Sequence, residues 1–307
     1  MPRYATNYKP LAYRASRAAV QVASLEAYLD HHHDPLVDPG VRPIAPYSYG
    51  EFRHTSTGPP FTHTSHSLFD LHPNLEVQER RVLVACSGGL DSGVLAWKLQ
   101  AEGWDVTLLH FQWNTKAQQQ ELAAVMRLAE AMFGDQGQGR VLVRDVGDFF
   151  SAWAPSPLTD PDATISKTRA GEAGAEFAHE WVPARNLNFL AQATAIAEYR
   201  GYPVIAIATT LEEGGAYPDD EQIFGLRFNQ LLPYAVGPYR RVQLLQPFAT
   251  YMKHHVVRDG LAVGAPMHLL WSCYEGGVDQ CGNCGPCLQR QRAFRMNGLA
   301  DPAFAPA

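Results

Sequence analysis

The chain has 307 residues, a formal net charge of −6, 46% hydrophobic residues and 18% charged residues. At about 150 residues per domain that length allows one large domain or two modest ones, with enough apolar material to exclude a disordered chain. The mild acidity excludes a generic electrostatic hold on nucleic acid, and no apolar run of about 18 residues offers a membrane span. The first ten residues lack the apolar core of a secretory signal, so a cytoplasmic protein is expected.

Up to residue 78 the sequence reads as an irregular extension. One helix is expected over Ser16 to Leu29, where Ala, Val and Leu recur at helical spacing. His31, His32 and His33 follow, then loop-like stretches dense in Pro, Gly, Ser and Thr. Seven of the twelve histidines fall here, which keeps a metal-binding or partner-docking arm open as the alternative to a plain extension.

From Arg81 the pattern changes to alternating strands and helices. Val82 to Cys86 is a continuous apolar run, as expected of a strand buried on both faces of a parallel sheet. The spacing then predicts a helix over Asp91–Ala101, a strand over Val106–His110, a helix over Ala117–Phe133 and a strand over Arg140–Val146. Gly147 to Glu180 reads as a partly helical excursion broken by Pro155, Pro157 and Pro161. A helix over Asn186–Arg200, a strand over Val204–Thr209, a helix over Glu221–Leu232 and a short strand over Val242–Leu245 complete the series. Strands alternating with helices of this length imply βαβ units and a doubly wound, mostly parallel α/β sheet, in which ligands sit at the carboxyl ends of the strands.

At the first of those ends lie Ser87, Gly88, Gly89, Leu90, Asp91 and Ser92. Two successive glycines let main-chain N–H groups approach an anion, the following helix points its positive end at the same spot, and the two serines add hydroxyl donors. Asp91 would repel a phosphate unless a magnesium ion bridges the two. There is no Gly-Lys dipeptide, so this is not a Walker loop, and the spacing is not that of a dinucleotide fingerprint. An ordinary Gly-rich turn with a Ser or Asp cap is the alternative. The segment Ser87–Ser92 resembles the SGGxDS loop of the ATP pyrophosphatase superfamily. That likeness implies an adenine nucleotide alpha hydrolase-like fold and cleavage of ATP between its α and β phosphates.

Four of the five cysteines, Cys273, Cys281, Cys284 and Cys287, crowd near the C-terminus, and two CxxC steps share Cys284. Four thiolates suit a closed, structural, tetrahedral zinc knuckle over residues 271–290, with disulfides as the alternative. Cys86, in the apolar strand, reads as packing.

This tail resembles the C-terminal zinc motif of the 7-cyano-7-deazaguanine synthases. Two further segments look like that family: Val182–Asn186 resembles VPGRN with Ala184 in place of the glycine, and residues 215–219 resemble SGYPD, with Asp220 where the family has cysteine. The resemblance covers residues 80 to 297 and divides the chain into an extension (1–78), a catalytic domain (79–297) and a tail (298–307). It implies that Ser87 to Ser92 and Lys253 hold ATP, that Ser87, Asp91 and Arg185 serve catalysis, and that Arg185, Asn186, Tyr217 and Asp219 meet the substrate. The residues alone also allow plainer roles. Asn186 could cap a helix, Pro218-Asp219 could be a turn, Lys253 could be solvated, and Trp181, Tyr217 and Trp271 could be core. One departure stands out. Where the family tends to show a YxQRH-like segment followed by an acidic residue, this chain has Phe111-Gln112-Trp113-Asn114-Thr115-Lys116, with Lys116 as the candidate to keep the positive charge.

The activity implied is ATP- and magnesium-dependent adenylation of a 7-deazaguanine carboxylate, followed by transfer to ammonia to give an amide and then the nitrile. A relative in antiviral defence that joins the deazaguanine to a protein amine is one alternative. A zinc-containing RNA-binding module with a vestigial loop is another, and a tRNA thiolase is disfavoured because the four cysteines are committed to metal. The implied partners are therefore a small deazapurine carboxylate and an amine donor, with a protein acceptor in the alternative case. A homo-oligomer is compatible with the sequence.

Overall fold

Five short segments rich in Val, Leu and Ile pair into one parallel sheet: β1 (Arg81–Ala85), β2 (Asp105–Gln112), β3 (Val141–Asp145), β4 (Val204–Ala206) and β5 (Gln243–Leu245). Their spatial order is β3-β2-β1-β4-β5. The structure is a computed structural model and describes residues 79–165, 180–214, 217–237 and 240–304; the expected helix at 16–29 and the histidine run lie outside the described residues.

β1 is the central strand, and its sequence shows why. Val82 and Val84 enter one core cluster and Leu83 the other, all three fully buried, so neither face can be polar. The connection from β1 runs to β2 on one side, and the chain later returns to β4 on the other. The crevice at the carboxyl end of β1 is therefore the switch point where such sheets bind ligands.

Seven helices flank the sheet in the described residues: α1 (Leu90–Ala101), α2 (Gln118–Phe133), α3 (Gly147–Ala152), α4 (Arg185–Arg200), α5 (Gln222–Ala235), α6 (Lys253–Ala262) and α7 (Gly285–Met296). A single helical turn, Leu211–Gly214, follows β4. None of the described helices is long and apolar enough to cross a membrane.

The edge strand β5 is protected by α5. Asn229 donates Nδ2–H to the Leu244 carbonyl at 2.8 Å and accepts the Leu244 N–H at 2.7 Å, which satisfies backbone groups that no neighbouring strand would pair.

The doubly wound parallel sheet agrees with the expectation, while element ends shift. The fourth strand stops at Ala206, three residues short of Thr209, because β5 offers only three residues to pair with. The fifth long helix continues past Leu232 and takes Pro233 into its last turn, ending two residues later. Helices α6 and α7 were not expected at all.

Candidate active site

The loop from Ser87 to Ser92 turns sharply between β1 and α1. Gly88 has φ +86°, and a Cβ there would lie 2.5 Å from the Glu121 carbonyl oxygen of α2, so only glycine fits. Gly89 precedes α1 and donates its N–H to Ser87 Oγ at 3.2 Å, and Ser87 Oγ lies 3.2 Å from Ser92 Oγ. The Gly88 carbonyl accepts the Trp271 N–H at 2.9 Å, which ties the loop to the cysteine-rich tail. Leu90 is 2% exposed and buries its side chain in the core, so it can offer a ligand only its backbone. A Gly88→Ala chain is expected to lose about 1–2 kcal/mol from the left-handed backbone alone. The collision with α2 should also displace the loop and lower ATP binding at least about tenfold. Denaturant unfolding and ATP titration check this, and parent-like affinity would contradict it.

Asp91, in the first turn of α1, does not stand alone opposite the anion site. Lys253, the first residue of α6, places Nζ 2.8 Å from Asp91 Oδ2 and 2.9 Å from Glu213 Oε1. Lys253 is thus buried in an ion triad rather than solvated. Burial pushes the Asp91 carboxyl up to about 6 against the pull of the Lys253 ammonium. The two carboxylates outweigh the effect of burial on Lys253 and hold its ammonium firmly charged. The second carboxylate oxygen, Asp91 Oδ1, is buried without a hydrogen-bond partner. A group so placed suits a divalent cation or a water bound to one.

Facing the loop is the start of α4. Ala184 precedes it at φ 52°, a left-handed conformation that costs a residue with a Cβ about 1–2 kcal/mol. That is a physical reason for glycine at this place in the related motif. Asn186 is not the cap. It lies inside α4, donates Nδ2–H to the Asp219 carbonyl at 3.1 Å and to Asp220 Oδ1 at 2.6 Å, and gives its own N–H to Asp219 Oδ2 at 3.1 Å. Arg185 Nε donates to Asn186 Oδ1 at 3.0 Å, and its Nη2 lies 3.8 Å from Asp220 Oδ2. Asp219 therefore holds the end of α4, and the cavity wall is formed by Asp220. Burial raises the Asp220 carboxyl to about 7, with Arg185 pulling the other way.

One cavity of about 260 Å³ joins these parts. The loop, Asp91, Lys253 and Glu213 line one side, and Arg185, Asn186, Asp220 and Tyr217 line the other. Tyr217 stacks on Trp181 with ring centroids 6.2 Å apart. Phe111, Trp113 and Phe189 form an apolar wall, with Phe111 and Phe189 stacked at 4.3 Å. Lys116 does not bring its charge to this cavity, because its ammonium donates to the Ala163 carbonyl. Among the wall groups that the sequence reading did not name as site residues are Glu121, Glu213, Asp220, Glu180 and Tyr274. Glu121 had one signal, an acid following the altered segment; Glu213 had none beyond its place after β4.

The four thiols meet beside this cavity. Cys273, Cys281, Cys284 and Cys287 bring their Sγ atoms within 4.8 Å of one another, and no disulfide joins them. Four sulfurs about 2.3 Å from one ion lie roughly 3.8 Å apart, so the cluster fits a single tetrahedral metal. The N–H groups of Glu275 and Cys281 donate to Cys273 Sγ at 3.4 and 3.3 Å, and that of Cys284 to Cys281 Sγ at 3.3 Å. Thiol donation from Cys284 and Cys287 holds Cys273 well below the ordinary thiol range. Cys86 lies buried in the core at the carboxyl end of β1, as expected.

A parallel sheet with an SGGxDS loop at its switch point and a four-cysteine cluster beside it is the arrangement expected of the PP-loop class. Within that class the chain belongs to the QueC family: the pattern of the Queuosine biosynthesis protein QueC matches residues 81–298. It is 44% identical to a 7-cyano-7-deazaguanine synthase of Saccharolobus solfataricus over 97% of this chain and 61% of that one. To 7-cyano-7-deazaguanine synthase 2 of Sulfurisphaera tokodaii it is 46% identical over 77% of this chain and 52% of that one. The chain thus spans only between half and two thirds of these longer relatives. A shorter synthase, from Methanosphaerula palustris, is 33% identical over 70% of this chain and 95% of its own length. Among solved structures, the U34-tRNA thiolase NcsA from Methanococcus maripaludis with its 4Fe-4S cluster is similar at a TM-score of 0.36 and 12% identity, over 65% of this chain and 63% of that one.

Proposed function

We propose that this chain is an ATP-dependent 7-cyano-7-deazaguanine synthase. It activates the carboxylate of 7-carboxy-7-deazaguanine as an acyl-adenylate, releases pyrophosphate, and passes the acyl group to ammonia, with AMP leaving; a second activation of the amide oxygen gives the nitrile. The observation that carries this reading is the single cavity shared by the phosphate loop and the Arg185–Asn186 corner, in a chain of the QueC family.

The N–H groups of Gly88 and Gly89, with the hydroxyls of Ser87 and Ser92, take the phosphates, and Lys253 supplies positive charge beside them. Asp91 would hold a magnesium ion, which would supply charge neutralisation for the pyrophosphate. Arg185 steadies the carboxylate or the phosphate at the reacting centre, and Tyr217, Asn186 and Asp220 line the pocket for the deazapurine, with Asp219 holding Asn186 in place. The apolar wall of Phe111 and Trp113 keeps water away from the adenylate, whose hydrolysis competes with transfer. Structural zinc is the metal of the four cysteines, since it is satisfied by thiolates and needs no redox partner. Residues 1–78 are an extension outside the catalytic part 79–297, residues 298–307 are a tail, and the enzyme works in the cytoplasm. The names of the relatives favour ammonia over a protein amine and give no support to the antiviral or RNA-binding readings.

Incubation with ATP, magnesium, ammonium and the deazaguanine carboxylate should yield the amide and then the nitrile, with pyrophosphate and AMP in step. Pyrophosphate release confined to other carboxylates, or none at all, would end this reading.

A further inference from the structure

We propose that Glu121 is the general base of the amine half-reaction, taking the proton from the incoming ammonium so that a neutral amine attacks the acyl-adenylate; this rests on the activation chemistry proposed above. Glu121 stands in the first turn of α2, where its carbonyl touches the Gly88 position of the phosphate loop. Its side chain lines the same cavity as the loop and Arg185. Oε2 accepts the Thr115 hydroxyl at 3.4 Å, which fixes the carboxyl toward the altered segment after β2.

The other carboxylates of the wall are engaged. Asp91 and Glu213 share Lys253, Asp220 takes the Asn186 amide and lies 3.8 Å from Arg185, and Glu180, which faces Tyr217, is engaged as well. Among the described residues Glu121 has no cation within ion-pair distance, although Arg185 faces it from α4 and lowers its affinity for a proton. Tyr217, Tyr274 and Asp220 surround Arg185 in turn. Burial outweighs Arg185 and Thr115 and pushes the Glu121 carboxyl up to about 7, close to the working pH expected of a base.

At neutral pH ammonia arrives chiefly as ammonium, which has no lone pair to attack with. The Glu121 carboxylate removes one proton. The freed amine forms a C–N bond to the acyl carbon, and the C–O bond to the adenylate phosphate breaks. The second proton leaves on the departing AMP, and the Glu121 acid returns its own to solvent. No redox partner is involved.

Two half-reactions separate this role from the reading beneath it. ATP–pyrophosphate exchange in the presence of the carboxylate reports activation, and amide formation reports transfer. In a Glu121→Gln chain, amide formation at pH 7 is expected to fall about 100-fold or more beyond any fall in exchange. The gap should shrink as the pH is raised to about 9 at fixed total ammonium, because free ammonia then needs no base. Equal losses in both half-reactions, or a gap that ignores pH, overturn the role of Glu121. Absence of exchange in the parent chain overturns the activation reading itself, and the base with it.

Discussion

A Cys284→Ser chain is expected to be purified without its metal, to unfold at a temperature lower by about 10 °C or more, and to lose pyrophosphate exchange. Cys284 is fully buried at the start of α7, and its sulfur is one of four that meet where the segment from Trp271 onward packs on the core. Metal binding to small zinc sites is worth roughly 10–16 kcal/mol, comparable with the stability of a whole domain. For a domain of this size a loss of several kcal/mol already lowers the transition by about 10 °C.

The consequence reaches the nucleotide loop through named bonds. Trp271 gives its main-chain N–H to Gly88 and its indole N–H to the Cys273 carbonyl at 2.8 Å, so the same residue grips the loop and the knuckle. Gly276 packs so closely on Lys116 that a Cβ would overlap its carbonyl, and Gln120 donates to the Gly277 carbonyl at 2.8 Å. Releasing the knuckle therefore frees both the phosphate loop and the approach to α2. Metal analysis, thermal unfolding and hydrogen exchange over 267–290 check this. A metal-free variant with the stability and exchange rate of the parent would refute it. Arg290, buried against Asp301 at 2.8 Å and donating to the Leu270 and Met267 carbonyls, should keep α7 itself in place.

The parts legible in the sequence are those fixed by short-range chemistry. Val82-Leu83-Val84 can sit only in a strand covered on both faces, and two glycines after it leave room only for a turn against a helix. Cysteine spacing marks the knuckle because two CxxC steps on tight turns bring several ligands of one ion together locally. The rest depends on contacts across long sequence separations. Lys253 finds Asp91 and Glu213 only after α6 docks beside α1. Helix α6 itself, read as KHHVVRDGLA, carries a glycine and two adjacent histidines that conceal its periodicity. Asn186 looks like a cap beside Pro183, but the left-handed Ala184 takes that place and sends the amide to Asp219 and Asp220. Lys116 has the right charge to stand for the missing arginine–histidine pair, yet the fold turns it to Ala163. Neither outcome can be read from local pattern, because each is decided by what lies opposite.

The Lys253 triad sets the acid side of the activity. Lys253→Met removes the only ammonium that Asp91 and Glu213 share in the described structure, leaving two carboxylates close together in a buried wall. Removing one partner from a buried ion pair costs about 3–5 kcal/mol. Burial already raises Asp91 to about 6, and Lys253 restrains it, so the acid must rise further in the variant. The sign follows. On the proposed role of Asp91 as the magnesium ligand, pyrophosphate exchange in the parent is expected to fall as pH drops through about 6, and in the variant the same fall should begin at higher pH. Stability moves the opposite way. A carboxyl whose folded pKa lies above its unfolded value favours the folded state at low pH and loses that advantage as pH rises through the folded pKa. Lys253→Met should therefore be less destabilised at pH 5 than at pH 7.5. Lys253→Arg keeps the charge and should hold the acid limb near its parent position even where packing suffers. Denaturant unfolding at both pH values, with the pH profile of exchange for both variants, tests the triad. Parent-like stability in Lys253→Met together with an unmoved acid limb would show that Asp91 does not depend on Lys253.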